Sequence, residues 1–493
     1  MADELPRNAD VVVIGGGIAG LMALYNLARL GVTDTVLVER RQLACGTTWH
    51  SVGSVGQVRG SRLLTVLSGA TAALLPEIER ETGMSTGYKR YGSIGLALTE
   101  ERLEEFRRTV SSASAWGHEA AILSPGEIKE RYPAVEVDDV KGGLFLPGDG
   151  RTNPIDTVQA LARACRQRGA RIFEETRVDD IVVEDGLVRG VRTSRGDILA
   201  EKVLLCAGMW SRDIAERIGV TIPLLAAEHF YAVTEPIEGL ARDTPMVRVP
   251  DERTYYKEDA GKLLFGCLEE VAKPWGMAGI PESFCFDSLP PDLDHFAPIL
   301  ETAMERMPLL KEVGIKLFFN GPESFTPDGN FHIGETAEVR NLFVSCGFNT
   351  IGVMASGGIG RMAAELIVDG RASVDMTGTD VRRAARFETN VSYLTERITE
   401  GLGKLYGLQC PDQTYTSARG VRRSPLHADH IAAGAVMEHV AGFERPALFA
   451  PAGAAALHVP TYFRPASHDW VAAEQPAARE RPPPSSTSRP SRS

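Results

Sequence analysis

Gly15-Gly16-Gly17-Ile18-Ala19-Gly20 sets three glycines at the spacing with which a backbone cradles a pyrophosphate. The segment follows an apolar run, Asp10 to Ile14, and opens a stretch of helical apolar spacing, Ile18 to Leu30. In such a turn Gly15 permits the tight bend, Gly17 lets the main chain approach the phosphates, and Gly20 allows the helix to press against the strand. A second apolar run, Thr35 to Glu39, ends in an acid 24 residues after Gly15, where a carboxylate can accept from a ribose hydroxyl pair. Strand, turn, helix, strand and acid in register predict a βαβ dinucleotide site at the N-terminus.

FAD and NAD share this fingerprint, and three further features favour FAD. Arg40 follows Glu39, a buried strand from Lys202 to Cys206 closes on Ala207-Gly208, and Gly347 to Gly360 is glycine-rich and contains Gly352, Val353 and Met354. A long cofactor needs a second grip near its ring. Backbone amides at the N-terminus of a helix there would stabilise negative charge developing on the reduced ring.

The elements that position these groups recur along the chain. A helix is expected over Thr152 to Gly169, with strands at Arg171–Phe173, Ile181–Glu184 and Leu187–Thr193. Strand-like pieces at Phe230–Thr234 and Leu263–Gly266 and a helix around Leu300–Met307 form a separate layer, before a strand at Asn341–Val344 and a helix at Ile359–Asp369. The reading is an α/β chain in which a Rossmann-like FAD-binding domain (8–80, 146–222 and 329–372) is interleaved with an α+β substrate domain built on an antiparallel sheet (81–145 and 223–328). A connecting segment (373–452) and a tail (453–493) follow, and Arg479 to Ser493, almost entirely Pro, Ser and Arg, are expected to be disordered.

Composition excludes several partner classes. A formal net charge of −12 argues against a nucleic-acid surface. Seven scattered cysteines, with no CxxC pair, predict neither zinc nor a disulfide framework, and Cys45 reads as small buried packing. No apolar run approaches the ~20 residues that span a bilayer. The first residues are neither a secretory leader nor an Arg-rich transit peptide, so the expected location is the cytoplasm.

The sequence resembles the FAD-dependent D-amino-acid oxidase superfamily, and within it the dimethylglycine and sarcosine dehydrogenases or oxidases. The likeness is carried by VVVIGGGIAG, by Gly46-Thr47-Thr48-Trp49-His50, by LFLPGDGRTNP around Gly148, by Ala207-Gly208-Met209-Trp210, by YYKEDAGKLLFG from Tyr255 and by NGPESFTPDG from Asn320. It continues through Ala418-Arg419-Gly420 and Ser424-Pro425-Leu426-His427. The resemblance implies that His50 is bonded to the flavin 8α-methyl group, with Thr47, Thr48 and Trp49 beside it and Val178 and Trp210 in the cofactor site. Ser51-Val52-Gly53 departs from the Ala-Ala-Gly or Thr-Ala-Gly of relatives.

The resemblance also places His229 and Tyr255 or Tyr256 on the substrate side. A protonated amine cannot lose a hydride, so a His near neutrality can take its proton while a Tyr hydroxyl positions nitrogen or carboxylate. Neighbours on a strand face opposite ways, which leaves the tyrosine open, with Tyr256 preferred. The substrate carboxylate needs a cation or hydroxyl partner, for which Arg253 or Lys257 could serve, although both read first as solvated strand-end charges. The activity implied is oxidative demethylation of a small N-methylated amino acid, with hydride passing to flavin N5 and electrons leaving to oxygen or a carrier protein. The alternatives are another secondary or cyclic amino acid, and a catalytically silent flavin-fold regulatory subunit. Relatives continue into a folate-binding module, whereas the likeness here stops near Glu480, so a separate folate-dependent partner is an expectation too.

Overall fold

The computed structural model describes residues 4–411, 413–454 and 458–480. Two compact units result, the first extending to Gly407 and the second beginning at Leu408.

The first unit is an α/β fold built on two sheets. One has a parallel centre in the order Leu342–Cys346, Gly196–Leu205, Asn8–Ile14, Thr35–Val38 and Arg171–Phe173, with His332–Glu335 antiparallel on one edge. Its strands are nearly continuous apolar runs because both faces are covered. On one face lie the helices Ile18–Arg29, Arg62–Thr82, Pro154–Gln167 and Ser356–Asp369, sealing a core around Val11, Leu21, Leu24, Leu161 and Ile359. The hairpin Val178–Glu184 and Leu187–Thr193 branches from Gly196–Leu205.

The second sheet has nine strands, drawn from Ser93–Ala97, Ala121–Leu123 and Gly142–Leu146 and then from Leu225–Thr234 through Ile315–Phe325. It is antiparallel throughout except where Met246–Val249 runs parallel to Ser93–Ala97. Its long pair is Leu225–Thr234 against Ile315–Phe325, in register from Leu225↔Phe325 to Val233↔Leu317, with a shift before Thr234↔Ile315. One face packs on the helix Leu293–Arg306 through Phe230, Tyr256, Phe265 and Phe296. The opposite face carries Tyr231, Tyr255 and Phe319.

Residues 373–407 stay with the first unit, because Leu394, Ile398 and Leu402 of the helix Val391–Lys404 form a core with Leu225, Ala227, Leu268 and Phe325. The second unit holds a three-stranded sheet, Arg422–Arg423, Phe443–Phe449 and Ala435–Val440, pinned by an ion pair of Arg419 with the buried Glu444. The tail differs from expectation: His468–Glu480 is a helix, so Arg479 and Glu480 are ordered, while 481–493 lie outside the described residues. Among the described residues no helix is long and apolar enough to cross a membrane.

Candidate active site

A cavity of about 620 Å³ runs along the C-terminal ends of the parallel strands, where open α/β sheets take their ligands. At one end the strand Asn8–Ile14 turns at Gly15, whose φ of +112° and position suit glycine alone, since a Cβ would lie 2.5 Å from the Cys206 carbonyl oxygen. A Cβ on Gly20 would lie 2.1 Å from the Gly15 oxygen, so this glycine serves helix–strand contact and does not line the cavity. The helix begins after Gly17 without a side-chain cap, and its Ile18 amide donates to Thr48 Oγ1 at 3.2 Å. Gly15, Gly17, Ile18 and Ala19 line the wall there, presenting a helix N-terminus suited to a pyrophosphate.

Glu39 is buried beside them, its Oε2 accepting from the Gly16 amide at 2.7 Å and Oε1 from Arg41 at 2.9 Å. Burial pushes its pKa up more than these two donors pull it down. The carboxylate keeps lone pairs for ribose hydroxyls. Arg40 stacks 4.5 Å over Trp210 and donates to the Glu282 and Phe284 carbonyls at 2.8 Å each. Val178, Ala207, Gly208 and Trp210 complete this wall. Cys45 also lines it, with its thiol pushed up to about 12 by burial and by Glu39, an unreactive packing group.

Thr47 and Thr48 line the cavity beside that helix start, and Gly352 and Val353 line it further along, together with Phe348, Asn349 and Thr350. Asn349 and Thr350 hold positive φ values of 46° and 68°, and the Asn349 side chain braces the turn through Thr326 and the Gly347 carbonyl. Such a braced, unfavourable backbone is a mark of functional loops. The glycine-rich stretch divides its labour. Cβ atoms at Gly357, Gly358 and Gly360 would strike Thr71, Leu67 and Met22, so these glycines let helices pack. The Gly357 amide is taken by Thr71 Oγ1 at 2.9 Å and Met354 does not line the cavity, so of the candidates in the stretch read from sequence as the grip on the ring, Gly352 and Val353 alone do.

Trp49 and His50 lie behind this wall, their rings 5.3 and 5.1 Å from Phe319. His50 is 5% exposed and its Nε2 has no partner. Burial and the neighbouring His229 pull its pKa down to about 3, which keeps it neutral. A buried imidazole nitrogen without a partner, an uncapped helix start and a glycine turn at the strand ends all fit FAD; Glu39 with the helix N-terminus would hold its adenosine and pyrophosphate, and Gly352 and Val353 its ring.

His229 sits on Leu225–Thr234, buried, with Nδ1 3.3 Å from Glu269 Oε2, while Glu269 Oε1 accepts from the Phe230 amide at 3.2 Å. Burial lowers the His229 pKa, but the Glu269 carboxylate outweighs it and the net shift is upward. Glu323 lines the cavity, and burial raises its pKa against the pull of His229. Tyr255 faces this group, its ring 6.4 Å from that of His229 and its buried hydroxyl without a partner. Tyr256, preferred from sequence, points the other way: its cross-strand partners are Phe265 and Val247, and it is buried in the core beneath the helix Leu293–Arg306. Lys257 is likewise buried rather than solvated, donating to the Val52 carbonyl at 2.9 Å, whereas Arg253 pairs with exposed Glu270 at 2.7 Å. Glu269 and Glu323 escaped the sequence reading, because each reaches His229 only across strands. The one signal was their place inside or beside the quoted segments.

A Rossmann-type sheet with a dinucleotide cavity at its strand ends, backed by an antiparallel sheet that offers a buried acid–base pair, defines a flavoprotein oxidoreductase scaffold. The model described as "FAD dependent oxidoreductase" matches residues 10–366, and "FAD dependent oxidoreductase central domain" matches residues 369–424. The chain belongs to the FAD dependent oxidoreductase family. It is 40% identical over 458 residues to mitochondrial sarcosine dehydrogenase of Homo sapiens, covering 92% of this chain and 50% of that protein. It is 37% identical over 478 residues to 4-methylaminobutanoate oxidase (formaldehyde-forming) of Paenarthrobacter nicotinovorans, covering 97% and 58%. A third relative, the mitochondrial pyruvate dehydrogenase phosphatase regulatory subunit of Mus musculus, is 34% identical over 482 residues, covering 97% and 55%. The chain thus spans about half the length of the curated relatives it matches. Among solved structures, L-proline dehydrogenase from P. horikoshii superposes with a TM-score of 0.70 at 25% identity, over 77% of this chain and 98% of that one.

Proposed function

We propose that this chain oxidatively demethylates a small N-methylated amino acid of the sarcosine or dimethylglycine kind, yielding an imine that water converts to formaldehyde and the demethylated amine. FAD, when bound, supplies the two-electron acceptor for hydride from the carbon next to nitrogen. The observation that carries the reading is the buried His229–Glu269 pair facing the unpartnered Tyr255 hydroxyl.

The substrate nitrogen must shed its proton before the C–H bond can break. With Nδ1 donating to Glu269, His229 keeps Nε2 as the acceptor, and the carboxylate steadies the imidazolium that results. The Tyr255 hydroxyl gains a partner only when a polar substrate arrives. His50, neutral and sealed, is in the state needed to bond carbon, which supports the proposed tether to the flavin 8α-methyl. Electrons leave to oxygen or a carrier protein, and the one-carbon unit leaves as formaldehyde.

The test is formaldehyde release from sarcosine, N,N-dimethylglycine and 4-methylaminobutanoate beside unmethylated glycine; release from none of the methylated compounds overturns the reading. The regulatory-subunit relative favours a second reading, a flavin-fold regulator without turnover. A bound flavin that no secondary or tertiary amino acid reduces would support it.

A further inference from the structure

One acid of the cavity has no donor. Glu323 stands on the strand Ile315–Phe325 directly opposite Ala227, and His229 stands opposite Gly321, so Glu323 and His229 are diagonal neighbours on one face and no side chain rises from Gly321 to part them. Glu323 lines the cavity, yet among the described residues nothing donates a hydrogen bond to its carboxylate and no cation pairs with it. The acids around it are engaged. Glu269 is taken by His229 and by the Phe230 amide. Glu228, on the opposite face of its strand, is taken by Asn320 at 2.7 Å and Lys273 at 3.3 Å. Burial raises the Glu323 pKa, His229 pulls it down, and Glu269 adds a smaller push upward. A carboxylate withdrawn from water beside a second acid is costly unless a ligand brings it a donor.

The chemistry of the substrate nitrogen says which donor that is. A secondary ammonium carries two N–H bonds. One proton passes to His229 and frees the lone pair, and the second N–H stays. When hydride leaves the neighbouring carbon, the lone pair forms the C=N bond, and the nitrogen becomes a cationic iminium that still bears its N–H. A carboxylate at that place accepts a charge-assisted hydrogen bond that strengthens as positive charge develops, so it stabilises the transition state more than the ground state. A tertiary ammonium has one N–H and keeps none after giving its proton to His229. It presses a methyl group on the carboxylate and leaves it unpaired, the loss by which a site built for an N–H rejects an analogue without one.

We propose that Glu323 accepts the N–H that a secondary amine keeps, so that the site takes secondary N-methylamino acids in preference to tertiary ones. Glu323 has this role within the demethylation reading, whose substrate class it narrows, but its contact is also read by binding without turnover. Methoxyacetate is sarcosine with an ether oxygen in place of N–H, and its binding is followed by the shift it causes in the absorbance of the FAD-loaded protein. The wild-type carboxylate repels that oxygen while the amide of Glu323→Gln donates to it, so the variant is expected to bind methoxyacetate about tenfold tighter. In formaldehyde assays wild type is expected to favour sarcosine over N,N-dimethylglycine in kcat/KM, and Glu323→Leu to lower that preference about ten- to a hundredfold. Glu228→Gln, on the other face, leaves both readouts unchanged, and melting temperature with flavin content certifies that each variant is folded. Equal methoxyacetate affinity in wild type and Glu323→Gln, a wild type that favours N,N-dimethylglycine, or an unaltered preference in Glu323→Leu overturns the assignment of Glu323, while formaldehyde release in the same assays still upholds demethylation. Tighter methoxyacetate binding in Glu323→Gln without formaldehyde from any methylated amino acid keeps Glu323 facing the ligand's nitrogen position and sinks the demethylation reading.

Discussion

Replacing Tyr255 and Tyr256 by Phe, one at a time, separates a substrate contact from a core residue through two readouts of opposite sign. Both hydroxyls are buried and unpartnered in the protein alone. Such a hydroxyl costs about 1–3 kcal/mol, so removing it raises stability by a fraction of that. Unfolding entropy grows with chain length, so for a unit extending to Gly407 the melting temperature rises by about 1–3 °C in either variant. Activity divides them. If the Tyr255 hydroxyl bonds the substrate's charged or polar end, its loss costs about 1.5–3 kcal/mol of transition-state binding, or about ten- to a hundredfold in kcat/KM. Tyr256→Phe leaves kcat/KM within about twofold, because its ring lies beneath the helix Leu293–Arg306. Differential scanning fluorimetry and steady-state formaldehyde assays give both numbers. Unchanged kcat/KM in Tyr255→Phe, or a loss as large in Tyr256→Phe, refutes the placement.

Glu269→Gln removes the charge that lifts His229, so burial prevails and the His229 pKa falls. Since turnover needs neutral His229, the acid limb of the kcat/KM profile moves to lower pH and kcat drops by up to about 10²-fold; an unmoved limb contradicts the pairing. His50, lowered from 6.5 to about 3, contributes stability that is present above pH ~6.5 and is lost as pH falls toward 3. In FAD-free protein His50→Leu should therefore lose about 2 kcal/mol less than wild type between pH 7 and 5, measured by urea unfolding. Glu39→Gln, in a His50→Ala background that prevents any tether, weakens FAD rebinding about ten- to a hundredfold by fluorescence titration. Acid denaturation followed by ultrafiltration leaves the flavin with wild-type polypeptide and releases it from His50→Ala; release from both sinks the tether.

The N-terminal βαβ unit was legible because its requirements are local: Gly15 needs a positive φ and Gly20 a bare Cα, and both needs show as residue type at fixed spacing. The tyrosine was not, because a period of two predicts that Tyr255 and Tyr256 face apart without saying which faces in. That phase comes from cross-strand register with Gly266 and Arg248. Gly357, Gly358 and Gly360 look like cofactor glycines in one dimension, and only the helices Arg62–Thr82 and Ile18–Arg29 laid against them show their use in packing. Glu269 reaches His229 across 40 residues, a distance in sequence that only the folded sheet closes.

The most direct test is a single anaerobic turnover: mix the flavin-containing protein with sarcosine or N,N-dimethylglycine, follow the loss of oxidised-flavin absorbance, and assay formaldehyde in the same sample. The account predicts bleaching with one formaldehyde per flavin reduced, slowed in His229→Ala. Flavin that stays oxidised with every N-methylated amino acid, or bleaches without formaldehyde, would contradict it.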